Sequence, residues 1–189
     1  MADIRSRRCV FVSHCMLAQC VMAEGVVRHH AAMMRPVVEF CLANDINIIQ
    51  MPCPETDCAA GGLGRKPHGK AWYERNGLRG TAAGIAAGQL DYMGRLRVAG
   101  IEILAVIGVD FSPACAVTYL NKGRSIVRDQ GIFIEELRKG MAERGFEIPF
   151  IGVAAKWERR IERDLRALLA CRDQGVLPGL TEAAKHADA

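Results

Sequence analysis

The sequence predicts an α/β fold: a Rossmann-like three-layer domain with a mainly parallel sheet of about four strands and helices on both faces. Three observations predict it. Short apolar, β-branched runs alternate with segments of helical period. The longest run, 101–109, is apolar almost throughout, as a strand covered on both faces must be. Three of the runs are followed at once by a cysteine: Cys15, Cys53 and Cys115.

Taken in order, residues 8–14 read as the first strand and 15–26 as a loop or short helix closing on Gly25. Residues 27–43 carry apolar side chains at helical spacing, and Pro36 either kinks that helix or begins it. Asn44-Asp45 marks a turn, and Ile46 to Met51 a second strand. The stretch 52–80 is rich in glycine and irregular, too long for a plain connector. Trp72 and Tyr73 inside it suit a lid or a substrate wall. Thr81 reads as the cap of a helix that Gly100 ends, before the strand at 101–109. A helix over 129–144, a strand over 148–153 and an amphipathic helix over 157–169 complete the pattern.

The 189 residues suit one domain over 1–172, followed by a weak, alanine-rich tail over 173–189 in which disorder is expected. Hydrophobic residues make up 50% of the chain, ample for a core. A net charge of +4 lies far from the bias of a dedicated nucleic-acid binder, so nucleic acid is not an expected partner. No stretch is long enough to span a membrane, and the apolar run at 9–12 is too short for a signal-peptide core. A cytoplasmic protein is expected, as monomer or homodimer. In that compartment eight cysteines point to metal binding, redox chemistry or buried thiols rather than a disulfide framework.

Right-handed crossovers place the carboxyl ends of parallel strands on one edge, where ligands of open α/β sheets bind. Cys15, Cys53 and Cys115 fall there. Three converging thiolates can hold an iron–sulfur cluster or a zinc ion, one position short of a closed site. The competing reading is buried apolar thiols, which is the expectation for Cys9, Cys41 and Cys171. Cys20 and Cys58 each follow a candidate ligand by five residues and can add a fourth ligand or a sulfur acceptor. Glu55 either transfers protons beside Cys53 or is a solvated loop carboxylate. Ser112 either orients a substrate or water, or caps the next segment. Asp110 reads as a turn residue, and Arg28, His29 and His30 as a solvated cluster. Arg65, Lys66, His68 and Lys70 make the long loop cationic, either to attract an anionic substrate or simply as a solvated loop.

At these residues the chain resembles the DUF523 family, whose characterised members include the 2-thiouracil desulfidases. The pattern is carried by Cys15-Met16-Leu17 and by Cys53-Pro54-Glu55 with Gly61-Gly62-Leu63. Arg65-Lys66-Pro67 and Ser112-Pro113-Ala114-Cys115 complete it, and the match spans roughly 8–153. The resemblance implies a 4Fe-4S cluster held by Cys15, Cys53 and Cys115 with one iron open. It implies Glu55 as acid/base, Ser112 as substrate-positioning group, and a small thiolated substrate whose sulfur is replaced by water oxygen without net redox change. Two departures stand out: a longer segment between Cys15 and Arg28, and the loop holding Trp72 and Tyr73. Both would line a pocket, so the substrate need not be thiouracil. A sulfur or iron–sulfur carrier without turnover is the alternative function, and a zinc-binding or structural domain the third.

Overall fold

A computed structural model describes residues 3–173. Residues 174–189, where the sequence predicts a tail, and the side chain of Cys171 lie outside the described residues. The strands are β1 (Arg8–Ser13), β2 (Asn47–Met51), β3 (Glu102–Val109), β4 (Tyr119–Lys122), β5 (Ser125–Arg128) and β6 (Phe150–Val153). The helices are α1 (Arg35–Ala43), α2 (Pro54–Asp57), α3 (Lys70–Arg75), α4 (Leu78–Val98), α5 (Ile132–Glu143) and α6 (Glu158–Asp173). Among the described residues no helix is long and apolar enough to cross a membrane.

The main sheet has the order β2-β1-β3-β6 with every neighbour parallel. Side chains alternate across it. Cys9 and Phe11 of β1 enter a core shared with α4 and α5, while Val10 and Val12 enter a second core shared with α1 and α6. Helices therefore cover both faces, as an apolar parallel sheet requires. The pairing of β1 with β3 shifts register so that Cys9 faces Ile103 but Val10 faces Ala105. The extra residue, Leu104, and Ala105 both join the α1/α6 core, the expected effect of a bulge.

Four segments differ from the sequence pattern. Helix α1 begins at Arg35 with Pro36 in its first turn, so proline starts this helix rather than kinking a longer one. Helix α4 is capped not by Thr81 but by Gly77, whose φ of 83° is the left-handed conformation glycine adopts freely. Leu78 is fully buried and draws the helix start forward. The stretch 52–80 holds two short helices, α2 and α3, and the segment after β3 holds an antiparallel hairpin, β4–β5, turning at Gly123.

Candidate functional site

The strand order creates the site. From β1 the chain crosses to one side of the sheet, to β2; from β3 it crosses to the other, to β6. The loops leaving β1 and β3 diverge, and a crevice opens at that switch point. Cys15 lies in the 3-10 turn His14–Met16 directly after β1. Cys53 caps α2 two residues after β2, with Pro54 in the first helical position. Cys115 lies in the loop after β3.

Asp110 and Phe111 shape that last loop. The Asp110 carboxylate accepts hydrogen bonds from the backbone N–H groups of Val117, Thr118 and Tyr119 at 3.1, 2.8 and 3.2 Å. Phe111 has a φ of 71°, a sparsely populated conformation for a bulky side chain. Its N–H donates to the Tyr119 carbonyl at 2.8 Å, and its ring packs edge-on against Trp157 at 5.3 Å. The next residue, Ser112, is thereby aimed back across the crevice. Its hydroxyl oxygen accepts from the N–H groups of Ala114 and Cys115 at 3.2 and 3.0 Å, and its O–H donates to Glu55 Oε1 at 3.0 Å.

Glu55 sits in the first turn of α2 and is 8% exposed. Its second oxygen accepts from Arg65 Nε and Nη2 at 3.2 and 3.0 Å. Arg65 Nη1 donates to the carbonyls of Val21 and Gly62 at 2.7 and 3.2 Å. One guanidinium thus ties the loop after β1, the loop after α2 and the Glu55 carboxylate together. Gly61 must be glycine here: a Cβ would stand 1.9 Å from the Glu55 carbonyl oxygen.

The three thiols lie close enough to influence one another electrostatically. Burial first, then the neighbouring Cys53 and Glu55, pushes the Cys15 thiol up to about 12. Burial also raises Cys53, with Glu55 adding to it. Cys115 is raised further, by burial and then by Cys15 and Cys53, with the Ser13 side chain opposing. Buried sulfur donors that disfavour one another's thiolates are a costly arrangement without a cation. Among the described residues no group of three or more His, Cys, Asp or Glu closes into a metal-holding set. The donor chemistry, three sulfurs from three loops, is nevertheless that of iron–sulfur ligation.

Cys15, Cys53, Cys115, Glu55 and Ser112 are therefore brought to one place. Cys20 is exposed, and Cys58 is buried with its thiol directed to the Asn76 carbonyl at 3.5 Å. Cys9 and Cys41 are buried in the two cores. Two residues of the cationic segments stand elsewhere than a solvated reading places them. His30 is 8% exposed beside Glu158, and Arg65 is buried against Glu55. The signal for Arg65 was its place in Arg65-Lys66-Pro67. Tyr73 is 1% exposed, and its hydroxyl lies beside the Glu55–Arg65 pair and interacts with both.

Comparison with known proteins bears on the fold. No family model matches the chain. An uncharacterized protein of Methanocaldococcus jannaschii is 27% identical over 136 residues, which cover 72% of this chain and 79% of that protein. The solved structure of TudS, a 4Fe-4S-dependent thiouracil desulfidase of DUF523 type, matches with a TM-score of 0.50 and 19% identity. The match covers 87% of this chain and 97% of that one. The protein thus has a DUF523-like α/β fold, which at this identity is a statement about architecture.

Proposed function

We propose that this protein is an iron–sulfur-dependent desulfidase that converts the thiocarbonyl of a small thiolated compound to a carbonyl. One observation carries the reading: a buried carboxylate, Glu55, hydrogen-bonded to Ser112 and fixed by Arg65, stands beside three converging thiols at the switch point of the sheet. The likeness of the fold to TudS supports it. In the balanced reaction, one water adds its oxygen to the thiocarbonyl carbon, the C–S bond breaks, and hydrogen sulfide leaves. No electrons are gained or lost overall.

Cys15, Cys53 and Cys115 would hold a 4Fe-4S cluster. When bound, that group supplies a sulfur-seeking Lewis acid with an open position. The remaining work belongs to side chains. Glu55 accepts a proton from the attacking water at Oε1 or Oε2 and returns it to the departing sulfur. Ser112 holds Glu55 from one side and, by rotating its hydroxyl, can donate to the substrate instead. Arg65 keeps the carboxylate oriented, and the buried surroundings exclude bulk water.

The test begins with iron and acid-labile sulfide measured on protein purified without oxygen. About four of each per chain are expected. Sulfide release from thiolated bases is then compared between wild type and Glu55→Gln at equal cluster content. A loss of at least about a hundredfold is expected. Zinc or no metal in oxygen-free material would overturn the reading, and an undiminished Glu55→Gln would remove the proton-transfer role.

A further inference from the structure

Ser13 breaks the pattern of its strand. Residues 9–12 of β1 are all apolar and buried, and Ser13 at the end is itself only 1% exposed. A hydroxyl in that place needs an acceptor. The alternation of β1 puts Cys9 and Phe11 on the α4/α5 face, and Ser13 with them. The register that pairs Val12 with Ile107 carries Ser13 beside Gly108. There the loop after β3 folds back onto its own strand. A Cβ at Gly108 would stand 2.3 Å from the Cys115 carbonyl oxygen and 2.7 Å from Val117. Glycine thus lets Cys115 settle against the sheet within reach of Ser13. The Ser13 hydroxyl has two acceptors here, the Ile107 carbonyl at a long 3.5 Å and the Cys115 sulfur. It carries one hydrogen, and a charged thiolate is the stronger acceptor.

We propose that Ser13 is a positioning residue whose hydroxyl donates to the Cys115 sulfur, orients that ligand and draws negative charge off it. This rests on the iron–sulfur reading above, since ligation makes the thiolate that claims the hydrogen. The other two sulfurs are served differently. Cys53 receives the backbone N–H groups of Glu55 and Thr56, and Cys15 its own N–H. Those donors come with any sequence that keeps the backbone. The donor to Cys115 is a side chain, so it is set by the choice of residue at position 13. Less charge on the sulfur leaves bound iron more electron-poor, hence a stronger acid toward substrate sulfur and easier to reduce. The proposed reaction moves no net electrons, so a reduction potential reports on this hydrogen bond without being part of the cycle.

The experiment uses cluster-loaded wild type, Ser13→Ala, and the pair Ser13→Thr and Ser13→Val, which share a shape and differ only in the hydroxyl. Iron and labile sulfide per chain check loading, and every reading is expressed per cluster. Resonance Raman spectra are taken on protein loaded in water and in heavy water. The iron–thiolate bands of wild type and Ser13→Thr should shift in heavy water, and Ser13→Ala and Ser13→Val should lose part of that shift. Reduction potentials come from a dye-mediated titration followed by electron paramagnetic resonance. Ser13→Ala and Ser13→Val should lie below wild type, and Ser13→Thr should match it. Sulfide release from thiolated bases should show kcat about tenfold lower in Ser13→Ala with KM near wild type. Where Ser13→Ala takes up no cluster, Ser13→Thr against Ser13→Val carries the same comparison. Equal potentials and equal deuterium shifts in that pair overturn the proposal and leave Ser13 a packing role. A wild type that takes up no iron overturns the iron–sulfur reading and this proposal together. A wild type that holds the cluster but releases no sulfide from any thiolated base overturns the desulfidase reading alone, and the Raman and potential readings still decide for or against Ser13.

Discussion

Two of the arginine–carboxylate clusters among the described residues stand under opposite conditions. Arg65 and Glu55 have side chains only 6% and 10% exposed, and they stand alone beside the thiols. Arg79 is 42% exposed and pairs with Glu74 of α3 and with Glu135 and Glu136 of α5. The ion chemistry is the same; the surroundings are not. Water screens the Arg79 cluster, so each of its pairs contributes at most about 1 kcal/mol. For the buried pair, the loss of hydration offsets most of the attraction, and net stability is a poor reason for its presence. The exposed cluster reads as a brace holding α3 and α5 to the start of α4. The buried pair reads as an instrument of the site, kept for where it puts the Glu55 carboxylate.

The sharpest way to break this comparison is to remove one arginine at a time. Arg65→Ala strands a carboxylate in a dry site and should lower the unfolding free energy by about 3–5 kcal/mol, read from urea denaturation. Replacing both Arg65 and Glu55 with methionine should restore most of that loss while abolishing activity. A restored stability without restored function would separate the two roles of the pair.

A smaller effect comes from the thiols around the buried pair. Burial raises Cys15 to about 12, and Cys9 and Cys41 to about 11, from an ordinary 9.0. The folded chain therefore holds these protons more tightly than the unfolded chain. Their contribution is complete below about pH 9 and is lost as pH rises through about 11 to 12. The urea midpoint of metal-free protein should fall over that range, and fall less in Cys15→Ala. The smallest effect belongs to Arg79→Ala, which should cost about 1–2 kcal/mol in all and less as salt is added. A loss as large as that of Arg65→Ala would erase the distinction between brace and instrument.

What the sequence makes legible follows from the length scale of each signal. The four strands of the main sheet are visible because apolar runs such as 101–109 have no other reading in a domain of this kind. The hairpin β4–β5 is not, because its strands have four residues each and are largely exposed, with no apolar alternation to announce them. Helices α2 and α3 are shorter than two turns and leave no period. The thiol triad is legible because each cysteine lies in the segment that leaves the carboxyl end of an apolar strand. Arg65 is marked only by its place in Arg65-Lys66-Pro67; its burial is not legible, because it is decided by Glu55 ten residues earlier and by carbonyls at 21 and 62. Tyr73 shows itself only as part of an aromatic loop, and its place beside the Glu55–Arg65 pair is visible only in three dimensions.

The parallel sheet has a consequence for how the site comes into being. Cys15, Cys53 and Cys115 belong to segments that meet only after β3 has paired beside β1, and that strand pairing spans about half of the sequence. Contacts of this kind form late, because a long stretch of chain must close before they are made. A nascent chain would thus carry three unrelated cysteines until folding is nearly complete. Anything that all three hold would have to be delivered to an already folded recipient and would then trap it in that state. Maturation would be a delivery step after folding, with the empty protein as the acceptor.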